Sequence, residues 1–239
     1  QGISHPYCFN CLTREQNGGD SERTWHNNIN EDFDCTQADL DYEYPTLIDV
    51  RWNSTCNLSC NYCGPLDSSK WAALKKLPVN SNTRQYYNNV CDFIKSNYRY
   101  VKEVALIGGE PLLLPENERL LDVIPDDCVV TVITNLSNPL ENNRIFQKLA
   151  ERSNVGWSIS FDNIGPEFEY VRYGASWDLM LKNLDTVQNL MQTKKQWGGI
   201  HAVYNLYNAT RLVEFKNFAQ QRGLSIKWQV LNGPFPLNP

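Results

Sequence analysis

Short runs rich in β-branched and aromatic residues alternate with longer amphipathic runs from about residue 46 onward. The short runs predict six strands, at Thr46–Trp52, Val104–Gly108, Val129–Asn135, Val155–Phe161, Ile200–Leu206 and Ser225–Leu231. The longer runs predict helices, near Asn82–Tyr98, Glu116–Ile124, Glu141–Glu151, Trp177–Lys194 and Thr210–Gln221. Strands that alternate with helices in this way indicate an α/β fold, with a parallel sheet built of right-handed βαβ units.

Residues 1–45 do not share this alternation. They are rich in Asn and Asp and show little apolar periodicity. We therefore expect an N-terminal appendage over residues 1–45 and one α/β domain over residues 46–239.

The composition is that of an ordinary globular protein, with 41% hydrophobic and 21% charged residues. No stretch approaches the roughly 18 apolar residues of a membrane helix, and no secretory signal is visible, so we expect no membrane partner. The net charge is −5 and there is no long basic run, which argues against a nucleic-acid substrate. Cysteines grouped as C-x2-C and C-x3-C-x2-C favour a reduced, metal-binding, cytoplasmic protein over a disulfide-bonded one.

The most informative motif is a triplet of cysteines, Cys56, Cys60 and Cys63, directly after the first predicted strand. A cubane iron–sulfur cluster normally takes four cysteine thiolates, so a compact triplet can hold one and leave one iron open. A structural zinc site closes with four ligands, usually gathered as separated pairs, and fits this triplet less well.

This loop, with Tyr62 before its last cysteine, resembles the radical SAM signature, in which the open iron chelates S-adenosylmethionine (SAM). A second run, Gly108-Gly109-Glu110-Pro111, follows the second predicted strand and resembles the family's GGEP motif. The resemblance implies a [4Fe–4S] cluster on the three cysteines, a Glu110 carboxylate that meets the SAM ammonium group, and a partial (β/α)6 barrel in place of a doubly wound sheet.

Further candidates for SAM binding lie where the predicted strands end, which is the rim that carries active sites in α/β barrels. In the resembled family the fourth strand end contacts the ribose or methionyl part of SAM, and an arginine in the following segment pairs with its carboxylate. Ordinary turn chemistry is the alternative for the strand ends, and a surface salt bridge for the arginine. The candidates are Asn135, Ser160, Asp162, Arg172, Asn205 and, beside adenine, Leu231.

A separate pair, Cys8 and Cys11, lies in the appendage. A C-x2-C pair alone is compatible with zinc, redox or cluster chemistry. The run from Cys8 to Arg23 resembles a segment that precedes the barrel in radical SAM proteins of the SPASM/twitch group, which bind an auxiliary iron–sulfur cluster. Only two cysteines of that group are present here, with Cys35 as a candidate third, so the auxiliary ligand set is incomplete.

Taken together, the resemblance implies a radical SAM enzyme that reductively cleaves SAM and takes a hydrogen atom from a peptide or a small metabolite. It also implies an electron donor, either a reductase or a flavodoxin or ferredoxin. Two alternatives remain open at this stage, namely modification of a nucleotide or RNA, and a non-catalytic iron–sulfur scaffold.

Overall fold

The computed structural model describes residues 9–19, 21, 24, 45–79 and 84–231. The chain divides into two compact units, residues 1–43 and 44–239. In the first unit, helix α1 spans Phe9–Gln16 and is followed by a turn at Gly18, whose φ of +75° is in the left-handed region that glycine favours. Cys11 lies in α1, whereas Cys8 and Cys35 are outside the described residues.

The second unit is built on six parallel strands in sequence order, β1 to β6, without pairing between β1 and β6 among the described residues. This open sheet confirms the predicted α/β fold and is consistent with a partial barrel. The strands are β1 Leu47–Val50, β2 Glu103–Leu106, β3 Val129–Thr134, β4 Val155–Ser160, β5 Trp197–Tyr204 and β6 Ile226–Val230.

Strand β5 begins three residues earlier than predicted, because Gly198 and Gly199 belong to the strand and not to a turn. A Cβ atom on Gly198 would overlap the backbone carbonyl oxygen of Trp157, and one on Gly199 would overlap Ser225. These positions therefore require glycine for close packing of the strands. The prediction started the strand too late because it treated the two glycines as a turn.

Helices cover the sheet and agree with the predictions in type but not always in length. Helix α5 starts at Arg144 instead of Glu141, because the Asn143 side chain accepts the Phe146 N–H and caps the helix there. Two short helices, α2 and α6, were not predicted. In the described part of the chain, no helix is long and apolar enough to cross a bilayer. The helices of this unit are α2 Ser69–Leu74, α3 Arg84–Ser96, α4 Pro115–Leu120, α5 Arg144–Glu151, α6 Gly165–Val171, α7 Trp177–Thr193 and α8 Leu212–Gln221.

An aromatic cluster surrounds Phe161, the residue directly after β4. Its ring is fully buried and meets four other rings at centroid distances of 5.5–6.4 Å. These rings come from α6, α7 and α8, so the cluster joins three helices to the end of one strand. Its members besides Phe161 are Phe168, Trp177, Phe215 and Phe218.

We predict that Phe161→Ala lowers the free energy of unfolding by about 3–5 kcal/mol, because it leaves a cavity among rings that cannot all collapse. Chemical denaturation of the cofactor-free chain measures this. Val213→Ala on the exposed side of α8 is the control and should change the same quantity by less than about 0.5 kcal/mol. Equal losses in the two variants would contradict the packing argument.

Candidate functional site

A cavity of about 400 Å3 lies at the carboxyl ends of the strands. The cysteine loop that follows β1 and the Gly108-Gly109 turn that follows β2 both open onto it. Nine of the residues predicted from the sequence line this one cavity: Cys56, Cys60, Tyr62, Cys63, Gly108, Gly109, Asn135, Ser160 and Arg172.

Helix α2 holds the cysteine loop from one side. The backbone N–H of Cys56 donates to Ser69 Oγ at 3.1 Å, and Ser68 Oγ donates to the Leu58 carbonyl at 2.6 Å. The indole Nε1 of Trp71 donates to the carbonyl of Cys60 at 2.9 Å. Three side chains of one short segment therefore fix the backbone between the first two cysteines.

The end of α6 and the residues directly after it also hold this loop. The N–H of Ser59 donates to the Tyr173 carbonyl at 3.0 Å, and the N–H of Asn61 donates to the Val171 carbonyl at 2.8 Å. These two bonds resemble a short β-ladder between the cysteine loop and the residues on either side of Arg172. Backbone groups that would otherwise be unpaired in an irregular loop are thus satisfied.

The Cys60 thiol is buried and those of Cys56 and Cys63 are partly buried. Burial is the largest cause of their raised pKa values, because a thiolate is costly away from water. Burial raises the pKa of Cys60 to about 12 and that of Cys63 to about 11, and it raises the pKa of Cys56 as well. Asn135 Nδ2 donates to Cys56 Sγ at 3.8 Å. A bound metal would supply a positive charge that stabilises the thiolates, so metal binding would release the thiol protons.

The spacing of these cysteines suits a polynuclear cluster better than a single ion. Among residues 9–19, 21, 24, 45–79 and 84–231, no three His, Cys, Asp or Glu side chains come close enough to share one metal ion. A cubane cluster does not need that convergence, because each thiolate binds a different iron. The donor set, three cysteines on one loop, therefore fits an iron–sulfur cluster better than a mononuclear zinc site.

The Gly108-Gly109 turn brings the end of β2 against the cysteine loop. Gly108 has a φ of +130°, and a Cβ atom on Gly109 would lie 2.6 Å from the Ser54 carbonyl oxygen and would overlap that of Thr55. The N–H of Glu110 donates to the Thr55 carbonyl at 2.8 Å. Glycine is therefore required here by the close approach of two backbones.

The Glu110 side chain does not line the cavity. It is fully buried and accepts three hydrogen bonds, from Leu112 N at 3.2 Å, Thr134 Oγ1 at 2.7 Å and Asn135 N at 2.8 Å. Burial raises the pKa of Glu110, while these hydrogen bonds act in the opposite direction. The carboxylate is engaged within the protein, tying the end of β2 to the end of β3, and its contact with an ammonium group stays a prediction.

Asp162 also lies outside the cavity lining and connects three parts of the site. Its Oδ2 accepts from the Tyr62 hydroxyl at 2.6 Å and from Arg172 Nε at 3.0 Å, and its Oδ1 accepts from Val203 N at 2.7 Å. Asp162 therefore positions groups that face the cavity, and its expected contact with SAM stays a prediction.

Arg172 is buried at the cavity wall, with its guanidinium carbon 5.7 Å from the centre of the Tyr62 ring. Burial by itself lowers the pKa of Arg172, but the charge of Asp162 raises it above the usual value, so the group stays charged. Within the described residues, Asp162 accepts from Nε and no acceptor is found for the two Nη groups. A surface salt bridge, the alternative raised above, does not describe this residue.

Three further predicted residues lie outside the cavity lining. Asn205 is buried in its own turn, where it bonds with Val203, Tyr207 and Asn208. Pro111 begins a buried 3-10 turn, Pro111–Leu113. Leu231 donates its N–H to the Tyr204 carbonyl at 3.0 Å. The expected SAM contacts of these residues stay predictions.

Strands β5 and β6 form a wall of the cavity that was not predicted from the sequence. His201, Val203 and Gln229 line the cavity there, and His201 Nε2 lies 3.1 Å from Gln229 Oε1. Burial, and then the positive charge of Lys227, lower the pKa of His201, which favours the neutral ring. The signal was available, because two-residue alternation along a strand places His201 and Val203 on one face.

Comparison with known proteins places this geometry in a family. The family described as the Radical SAM superfamily matches residues 51–207. The GTP 3',8-cyclase of Sulfurimonas denitrificans is 21% identical over 193 residues, which is 77% of this chain and 56% of that protein. The 7-carboxy-7-deazaguanine synthase of Clostridium acetobutylicum is 38% identical over 89 residues, which is 36% of each chain.

Among solved structures, Streptococcus suis SuiB bound to S-adenosylmethionine has a TM-score of 0.61 and 16% identity, covering 82% of this chain and 43% of SuiB. SuiB bound to the precursor peptide SuiA gives a TM-score of 0.60. The likeness to SuiB shows a shared fold. This chain spans only about half the length of the relatives that it matches.

We predict that Glu110→Gln lowers the free energy of unfolding of the cofactor-free chain by about 1–3 kcal/mol, because the amide nitrogen puts a donor among three buried donors. Chemical denaturation measures the loss. The control is Glu151→Gln at the exposed end of α5, for which we expect a change below about 0.5 kcal/mol. Unchanged stability in Glu110→Gln would mean that these hydrogen bonds do not hold β2 to β3.

Proposed function

The chain belongs to the radical SAM superfamily of enzymes, and we propose that it reductively cleaves SAM to take a hydrogen atom from a peptide or a small metabolite. The observation that carries the proposal is the convergence of Cys56, Cys60 and Cys63 with Gly108-Gly109 and Arg172 on one cavity. Retention of all these groups favours an active enzyme over a non-catalytic scaffold.

Cys56, Cys60 and Cys63 would hold a [4Fe–4S] cluster. A bound and reduced cluster would supply the electron that splits SAM into methionine and a 5'-deoxyadenosyl radical, which is chemistry that the cofactor brings and the protein directs. The chain's own contribution is to fix the cysteine loop by hydrogen bonds from α2 and from the end of α6, and to shield the thiols in part from water.

For SAM itself, Arg172 is the strongest candidate ligand. A guanidinium group matches a carboxylate with two parallel hydrogen bonds, and its Nη groups are the ones without an acceptor among the described residues. Asn135 and Ser160 add polar groups on the neighbouring strand ends, and Gly108-Gly109 leaves backbone atoms accessible in the same cavity. These residues would orient SAM with respect to the three cysteines.

The substrate class is proposed from the comparisons with known proteins. SuiB, which shares the fold, has been solved with a precursor peptide, and this supports a peptide. A nucleotide is the second candidate, because the names of both curated relatives point to a nucleotide or a deazaguanine. The net charge of −5 argues against a nucleic acid.

The auxiliary cluster stays a prediction, as does the assignment to the SPASM/twitch group. Cys11 is the described member of the Cys8–Cys11 pair, and it lies in α1 as a free, partly exposed thiol. The donor is proposed to be a flavodoxin, a ferredoxin or a reductase.

We predict that the triple variant Cys56→Ala, Cys60→Ala, Cys63→Ala loses the SAM-sensitive electron paramagnetic resonance signal of the reduced protein after anaerobic reconstitution. The physical reason is that no other thiol lines the cavity among the described residues. The control replaces the two core thiols Cys91 and Cys128 by alanine and should keep the signal. A signal that persists in the triple variant would remove the cluster assignment.

The substrate is identified by comparing peptides and metabolites, by mass spectrometry, from cells that carry the parent or the triple cysteine variant. We expect at least one mass change in a peptide or a small metabolite that requires the three cysteines. A change confined to nucleotides or RNA would instead establish the second candidate.

A further inference from the structure

The outer side of the cysteine loop is covered by α2 and the turn after it. Three apolar side chains in the helix and in the turns before and after it are strongly exposed, namely Leu66 at 89%, Leu74 at 60% and Leu77 at 49%. Single exposed apolar residues are ordinary on a protein surface, whereas a group of them marks a contact site. We call this surface the α2 face; it consists of Leu66, Lys70, Leu74, Lys75, Lys76 and Leu77.

The α2 face is also basic in a chain that is acidic as a whole. Residues 64–79 contain Lys70, Lys75 and Lys76 against one acidic residue, Asp67, which gives +2 where the whole chain carries −5. All three lysines are exposed. Apolar side chains among exposed lysines suit a partner that presents apolar groups ringed by carboxylates.

The helix that carries this surface is hydrogen-bonded to the backbone of the cysteine loop. Trp71, on the same helix, donates from Nε1 to the Cys60 carbonyl at 2.9 Å, and Lys75 Nζ lies 5.7 Å from the centre of the Trp71 ring. Ser69 Oγ accepts from the Cys56 N–H. A protein that docks on the α2 face is thus separated from the cysteine loop by a single short helix, and short separation is what electron transfer between proteins requires.

From these observations we infer that the α2 face is the docking site of the electron donor, and that the donor is an acidic one-electron carrier such as a flavodoxin. The inference rests on the proposed function. In the step itself, the reduced carrier would lose one electron to a cluster held by Cys56, Cys60 and Cys63. No bond is made or broken in this transfer.

The test reverses the charge of the face with the variant Lys70→Glu, Lys75→Glu, Lys76→Glu in the reconstituted, SAM-loaded protein. The matched control, Lys194→Glu, Lys195→Glu, Lys216→Glu, makes the same change in net charge at exposed positions directly after α7 and on α8. Flavodoxin hydroquinone is mixed with each protein, and its oxidation and the formation of 5'-deoxyadenosine are followed at several salt concentrations.

We expect the α2-face variant to lower the second-order rate with flavodoxin about ten-fold or more at low salt, within the range of electrostatic steering. The parent rate should fall as salt rises, and the variant should lose most of that dependence. The control variant should keep the parent rate. An unchanged rate in the α2-face variant would overturn the inference.

A second reductant separates this inference from the proposed function. Excess dithionite needs no docking surface, so the final yield of 5'-deoxyadenosine with dithionite should be equal in the parent and both variants. A parent that forms none with dithionite would refute the proposed function, whatever flavodoxin does. If charge reversal changes the oligomeric state in solution but not the flavodoxin rate, the face is an interface between copies of this chain and the inference is wrong.

Discussion

Two buried carboxylates, Glu110 and Asp162, tie the carboxyl ends of neighbouring strands to one another. Where a parallel sheet ends, backbone N–H groups have no partner in the next strand and must find one elsewhere. Glu110 accepts the N–H of Asn135 beyond β3, and Asp162, beyond β4, accepts the N–H of Val203 in β5. Each of these groups would cost about 1–3 kcal/mol if left buried without a partner. The hydrogen bonds of Glu110 and Asp162 therefore hold the strand ends that form the cavity walls at fixed distances from one another.

The same two carboxylates mark the limit of what the sequence can tell. Alternation of short and long apolar runs was enough to find all six strands, because a buried strand leaves a pattern in the residues themselves. The three cysteines and the glycine pair were found because their spacing is local. The sequence placed Glu110 and Asp162 near the site, but it could not tell whether each side chain faces the cavity or supports it from behind. That distinction depends on neighbours 25 and 41 residues away, such as Asn135 and Val203.

The cavity has two walls of different chemical character. The loops after β1 and β2, together with Asn135 and Arg172, supply thiols, open backbone and a fixed positive charge. The strands β5 and β6 supply His201, Val203 and Gln229, which are neutral groups that can exchange hydrogen bonds or make apolar contact. The first wall therefore suits a charged ligand, and the second suits one that makes apolar contacts and neutral hydrogen bonds.

The close approach at Gly109 has a consequence for the interpretation of variants at this site. Because no side chain fits between this residue and the Ser54 and Thr55 carbonyls, even alanine would push the start of the cysteine loop away from β2. Such a variant would lose iron or SAM although the replaced residue has no side chain with which to bind either. A loss of function on substitution of Gly109 would therefore report the close approach of two backbones, and would not show that Gly109 binds a ligand.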